Sequence, residues 1–351
     1  MNSEVTVTFH GPEAAPALAA ALEQLYGNIF ATVAKAGADG SPGDVSAYVA
    51  RRDGAPLAIL LFRRHGGRVS VLNEAIALAD DEIDRFAGHV FDVWPQVSAV
   101  SFRAIAHAGG ALRRPHQRFN GLEDIVLSLP PTRPAYLDSL GKNMRADLQR
   151  YGKKLARDLP ALHFALHSGN AVTDATVREI VALSGHRMRV KRQRCLHDEA
   201  GTDKLLALVR SHGAVMVASM EGRVCAGVIC TVVGGNYFMH VIAHDPRYDA
   251  YRLGKLCCFQ AICAAIDGGG REFHFLWGRY SYKYRLGGVQ RELDHVTVYR
   301  SHWHRLRHWR LGLLNAVRGH GRRVKRWAHA AERASHWTGR LAQLLWGAPP
   351  A

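Results

Sequence analysis

The sequence predicts an α/β fold: two related halves with mixed sheets, followed by a basic helical tail. Two β meanders in the same register, each followed by a helical pattern and a further strand pattern, predict the halves. A sharp change of composition after residue 301 predicts the tail.

The meanders are read from their runs and breaks. In the first half SAYVARR, APLAILLFRR and RVSVLNE are separated by Asp53-Gly54 and Gly66-Gly67. In the second half AVMVASM, RVCAGVICTVV and YFMHVIA are separated by Glu221-Gly222 and Gly234-Gly235. The runs are β-branched and apolar, and the breaks supply the positive φ of a tight hairpin turn. Both breaks recur at an offset of 168 residues, the mark of a repeat rather than of two unrelated hairpins. Behind the first meander come a helical pattern over residues 80–91 and the strand VSAVSFRAI; behind the second, an apolar helix over 253–266 and the strand EFHFLW. Pro130, Pro131 and Pro134 mark a boundary, so the expected domains are 1–130, 131–301 and the tail 302–351. Within the second, residues 136–159 read as one strongly basic helix, ALHFALH as a strand and 174–189 as a helix.

Composition excludes some classes. With 48% hydrophobic and 22% charged residues the chain is globular rather than disordered. Its net charge of +16 favours polyanionic partners such as nucleic acid, anionic lipid, acidic glycans or CoA. The first residues lack the pattern of a secretory signal, and no apolar run is long enough to span a bilayer. Six cysteines (Cys195, Cys225, Cys230, Cys257, Cys258 and Cys263) form no C-x-x-C pair. A cytoplasmic protein without metal or disulfides is the expectation.

The halves differ where a phosphate would bind. A helix N-terminus attracts phosphate through exposed N–H groups and the helix dipole. The second half opens its helix with YDAYRLGKLCC, whereas the first places Asp80, Asp81 and Glu82 there. Three carboxylates repel phosphate, so the second half is the expected cofactor site and the first a degenerate copy.

These residues resemble the GNAT acyl-CoA transferases. Arg252-Leu253-Gly254-Lys255 is similar to that family's pyrophosphate loop, with Leu256 and Cys257 where a small closing residue is usual. LDSLGKNMRADLQRYGKKL resembles the basic helix of the CelD-type, polysaccharide-associated subgroup, and GRYSYKYRLGG its Gly-x-x-x-Tyr-Lys segment. The paired halves resemble the tandem arrangement of Fem-type aminoacyl transferases. The resemblance implies two tandem GNAT-like domains and direct attack of an amine or hydroxyl on an acyl thioester, with acetyl-CoA as co-substrate. The amides of Arg252, Leu253, Gly254, Lys255 and Leu256 would hold the pyrophosphate. The pantetheine arm would lie along the strand containing Val241 and Ala243, where it parts from the strand 272–277. Replacing Gly254 by Val is expected to weaken CoA binding more than folding.

Other candidates follow from position. His240, in mid-strand, and His244, at the strand end before Asp245, are placed for a general base. In a chain with 20 histidines each also reads as a structural residue. Tyr282 and Lys283 match the subgroup motif, as proton donor to the leaving thiolate and anion contact, against a surface turn as the alternative. Asn143 and Arg145 match the subgroup's basic helix, and the resemblance implies that they face the acceptor, against a solvated charged helix face as the alternative. The apolar stripe through Cys257, Cys258 and Cys263 reads as core.

The tail carries ten Arg or Lys against Glu332 alone, and five of the seven tryptophans. Trp327, Ala331, Ala334, Trp337, Leu341 and Leu345 form a stripe opposed by arginines, suited to an anionic membrane surface or to packing on the catalytic half. No nucleic-acid motif accompanies the charge. The expected activity is acyl transfer, with acetyl-CoA as donor, to an amine or hydroxyl of a sugar or cell-envelope precursor. The alternatives are a Fem-type transferase using aminoacyl-tRNA and a non-catalytic membrane-associated scaffold.

Overall fold

The acidic-Gly and Gly-Gly pairs turn as their chemistry requires. In the computed structural model, which describes residues 4–40, 42–107, 109–190 and 198–308, Asp53 and Glu221 both take φ of 52°. Gly54 and Gly222 follow at 81° and 74°, and Gly66 and Gly234 at 55° and 56°. These left-handed values match the right-handed twist of the flanking strands. The strands are β1 (Val5–His10), β2 (Ser46–Arg52), β3 (Ala55–His65), β4 (Arg68–Val71), β5 (Ala99–Ile105) and β6 (His116–Ser128). They continue as β7 (His163–Ser168), β8 (Gly213–Met220), β9 (Arg223–Val233), β10 (Asn236–His244), β11 (Glu272–His274) and β12 (Val289–Tyr299).

The chain divides into two compact units, Met1–Leu61 with Glu123–Arg291, and Phe62–Leu122 with Glu292–Ala351. Each draws on both sequence halves. In the first unit β8, β9 and β10 form the antiparallel meander, β7 pairs with β8, and β1 pairs with β2. β11 joins parallel to β10, with Asn236 opposite Glu272, and is itself antiparallel to the end of β6.

Alternate strand residues enter two cores. Met216, Ala218, Val228 and Cys230 pack with Cys257, Cys258, Ile262 and Cys263 of the helix Leu253–Asp267. Val215, Val217 and Ile229 pack with Val177 and Ile180 of the helix Asp174–Val190 and Leu205 and Val209 of the helix Glu199–His212. Helices on both faces of a mixed sheet are the expected α/β arrangement, and the cysteine stripe is core.

The second unit repeats the order. The end of β3 is antiparallel to β4, β4 is parallel to β5 with Arg68 opposite Ala99, and β5 is antiparallel to β12. Phe86, on the helix Asp80–Val93, makes edge contacts with Phe62 and Phe102 at 5.5 and 5.8 Å between ring centroids. Arg68 and Asn236, the starts of the parallel pairings, again lie 168 residues apart.

One expectation is corrected. The basic segment 136–159 is two helices, Arg133–Ser139 and Lys142–Asp158, because Leu140 and Gly141 are extended at ψ 145° and 147°. Of the tail, the helix His302–Arg307 and His308 are described; the Trp327–Leu345 stripe lies outside the described residues, as does Cys195.

Candidate active site

β10 outruns its parallel partner. β11 pairs only with Asn236, Tyr237 and Phe238, whereas β9 follows β10 as far as His244. A register shift between Met239 and Val241 places His240 on a bulge where the two strands part. Beyond Phe275, which donates its amide to Ile125 O at 2.8 Å, left-handed Leu276 (φ 56°) and Gly278 (φ 88°) turn the chain away. A slot therefore opens along the β11 side of β10 from Met239 onward.

The corresponding opening in the first half is zipped. Ala75 N donates to Ala104 O at 2.7 Å, Ala106 N to Ile76 O and Leu78 N to Ala106 O at 2.9 Å. The helix start beside it is occupied by the chain itself: Asp80 Oδ2 accepts from Gly110 N at 2.7 Å, and Asp84 Oδ2 from Arg113 N at 2.8 Å.

The helix start beside the open slot is different. Its first turn holds no acidic residue. Arg252 caps it in the left-handed conformation, donating its amide to Asp249 O and accepting from Lys255 N and Leu256 N at 2.9 and 3.2 Å. The amides of Leu253 and Gly254 are left as the first-turn donors without a backbone acceptor. Of the five predicted amides, three are thus already engaged.

Basic side chains surround these two. Lys255 Nζ lies 3.7 Å from Asp147 Oδ2, which also accepts from Arg285 at 3.1 Å. Burial lowers the Lys255 pKa, and Arg285 adds to the effect. The Arg252 guanidinium lowers the pKa of the Tyr151 phenol, whose hydroxyl accepts from Arg150 at 3.0 Å. Lys154 Nζ sits 4.9 Å from the Tyr251 ring centroid. Asp147, Tyr151 and Lys154 all come from the helix Lys142–Asp158, so one face of the basic helix flanks the start of the helix Leu253–Asp267.

The two predicted bases, His240 and His244, have different surroundings. His244 Nε2 donates to Asp249 Oδ1 at 2.6 Å, and the ring lies against Gly254. A Cβ on Gly254 would stand 2.6 Å from His244 Nδ1, so the glycine makes room for this ring. A side chain in Gly254→Val would therefore press on this ring as well as on the loop. His240 Nε2 is 2.8 Å from the Thr231 hydroxyl. Its ring faces Phe30 at 6.2 Å, and Phe30 in turn lies 5.2 Å from Trp277.

Val241 and Ala243 bury their side chains in the core under the helix Asp174–Val190, which leaves their backbone as the group available to a ligand. Tyr282 packs partly buried against the opposite core and stacks with Tyr280 at 6.2 Å. Lys283 is not a surface anion contact: it is 2% exposed, and Nζ donates to Leu276 O at 3.0 Å and to Trp277 O. Burial pushes its pKa down to about 8. Asn143 lines a shallow cleft with Lys142, Met144, Tyr284 and Arg285, and Arg145 pairs with Asp138 at 3.3 Å.

His274 escaped the sequence reading. Its ring stacks on Phe238 at 4.4 Å, Nδ1 donates to Asp124 Oδ2 at 2.6 Å, and Nε2 faces Glu272 Oε2 at 3.3 Å. Burial opposes charging, but the two carboxylates outweigh it and raise the pKa. Glu272, beside His274 and Arg291, is held at about 2. The available signal was two polar residues at i and i+2 in the apolar strand EFHFLW, which share one face. Among the described residues no cluster is suited to a metal ion, and no helix is long and apolar enough to cross a membrane.

The span that builds this site, residues 142–284, matches the family model of the GNAT acetyltransferase domain. That span is less than half of the 351-residue chain, and it is this span that is similar to the family. Its solved structural neighbours include L-PGS from Bacillus licheniformis, with a TM-score of 0.54 and 15% identity over 88% of this chain and 98% of that one. The C-terminal domain of a putative lysylphosphatidylglycerol synthetase from Agrobacterium fabrum gives 0.52 and 12% over 88% and 97%. FemX gives 0.55 and 8% over 72% and 87%. At these identities the likeness is one of fold. No curated protein matches the chain.

Proposed function

We propose that the second-half site transfers an acyl group, acetyl in the simplest case, from acyl-CoA to an amine or hydroxyl of a sugar or cell-envelope precursor. The observation that carries this reading is the slot beside β10 opening next to an acid-free helix start with two first-turn amides and basic flanks. Leu253 and Gly254 would donate to the pyrophosphate, with Arg252 and Lys255 balancing its charge. The unpaired edge of β10 would receive the pantetheine amides. Holding donor and acceptor together supplies most of the acceleration, and backbone N–H groups along β10 would meet the developing oxyanion.

His240 is the base this reading assigns. Thr231 holds its ring on the bulge, where it would take the proton from the incoming nucleophile. His244, engaged by Asp249, is assigned to shaping the loop. Phe30 and Trp277 would wall the acceptor side. His240→Ala should lower acyl transfer by about 10²–10³-fold with little change in donor affinity. Unchanged transfer and an unchanged pH–rate profile would remove His240 from the mechanism.

A second reading keeps the fold and changes the donor to aminoacyl-tRNA. It is supported by the fold likeness to FemX and L-PGS, and by the 17-residue helix with Lys142, Arg145, Arg150, Lys153, Lys154 and Arg157. Titration with tRNA beside acetyl-CoA separates the two. A cytoplasmic location, with residues 302–351 resting on an anionic membrane surface, completes the proposal; Trp303 and Leu306, 69% and 66% exposed, would begin that contact.

A further inference from the structure

The chain contains both a closed and an open version of the same strand junction, and the difference lies in what the strand-end carbonyls bond to. In the closed version Ala104, left-handed at φ 48°, lies three residues beyond Ser101, the last β4 partner. Ala104 O and Ala106 O accept from the amides of Ala75 and Leu78, and the junction zips. In the open version Leu276, left-handed at φ 56°, lies two residues beyond His274, the last β10 partner. Here Leu276 O and Trp277 O accept from the Lys283 ammonium instead.

We propose that Lys283 is a positioning residue that keeps the slot open by occupying the Leu276 carbonyl, with which β11 would otherwise continue its pairing to β10, and by tying it to its neighbour Trp277 O. Three features support this. Lys283 is reached by a short return of the chain, the helix Ser281–Arg285, whose direction is set by Gly278 at φ 88° and Gly287 at φ 91°. Its own carbonyl is fixed by Gly288 N at 3.0 Å, where a Cβ would stand 2.9 Å from Lys283 O and 2.4 Å from Ile125. Among the described residues its ammonium forms no ion pair within 4 Å; it lies 5.5 Å from the Tyr280 ring centroid, and its hydrogen bonds go to the two backbone carbonyls. Burying a cation for two carbonyl contacts is costly, and a surface turn has no need of it.

This inference rests on reading the gap beside β10 as the acyl slot, but its test does not need a ligand. Amide hydrogen exchange on the full chain compares wild type, Lys283→Met and Lys283→Arg. In Lys283→Met the released Leu276 carbonyl pairs with β10, as Ala104 O pairs in the first half, and amides in 239–243 exchange at least ten-fold more slowly. Lys283→Arg, still a donor, keeps wild-type exchange there. A simple loss of structure speeds exchange, so the sign separates positioning from general support. A folded Lys283→Met with unchanged or faster exchange in 239–243 overturns the proposal. Should Lys283→Met not fold, Lys283→Gln is read by the same criterion. In parallel, wild type binds acetyl-CoA and Lys283→Met binds it at least ten-fold more weakly. Wild type that binds no acyl-CoA refutes the donor assignment and leaves the exchange result to decide the role of Lys283.

Discussion

Lys283 also makes the stability of this protein rise in alkali in a way that one substitution removes. Its pKa falls from 10.5 to about 8 because burial penalises the charged form. Between these values the unfolded chain binds more protons than the folded one, so the free energy of unfolding rises with pH. At pH 7 the buried ammonium costs about 3 kcal/mol relative to an unperturbed lysine, at about 1.4 kcal/mol per pKa unit. By pH 10 most of that cost is gone, a relative gain of about 2 kcal/mol. Urea unfolding of wild type and Lys283→Met at pH 7 and pH 10 isolates the effect, because the other lysines, tyrosines and cysteines titrate in both. Wild type should gain about 2 kcal/mol on the variant across that range. Parallel pH dependence in the two proteins would refute the reasoning, and would mean that water or a carboxylate reaches Nζ.

Two further outcomes follow from neighbouring contacts. Gly254→Ala should destabilise by about 1–3 kcal/mol through its clash with His244, and the loss should shrink in a His244→Ala background, measured by thermal unfolding as a double-mutant cycle. An additive cycle would show that the ring is not the obstacle. Glu272, held at about 2 by His274 and Arg291, contributes stability that is present above about pH 4.5 and lost as pH falls through its folded value. Glu272→Gln should therefore flatten the acid limb of the stability curve, and identical acid limbs would contradict the assignment.

What the sequence disclosed about the fold and what it concealed have a common physical origin. Hairpin turns are local: Asp53-Gly54, Glu221-Gly222 and Gly234-Gly235 announce positive φ within two residues, and the periodic apolar helix over 253–266 announces its own burial. The loop before the helix Leu253–Asp267 is equally local, so its left-handed entry and acid-free first turn lie within a few residues of Arg252 and Gly254. The environment of each side chain is not local. Gly254 makes room for a histidine ten residues back, and Asp124 meets His274 across 150 residues. Lys283 reads as a surface cation in GRYSYKYRLGG because nothing in that stretch shows that two strand-end carbonyls wait for it. The break at Leu140-Gly141 was missed because the basic charge pattern continues across it.

The most direct test of the account is calorimetric titration of the purified protein with acetyl-CoA, with desulfo-CoA and tRNA as comparators and Lys255→Glu as the loop variant. The account predicts micromolar acetyl-CoA binding, retained with desulfo-CoA and weakened at least ten-fold by Lys255→Glu. Absence of CoA binding together with tight tRNA binding would contradict it and move the donor to aminoacyl-tRNA. Binding of neither would leave a GNAT fold acting without this chemistry.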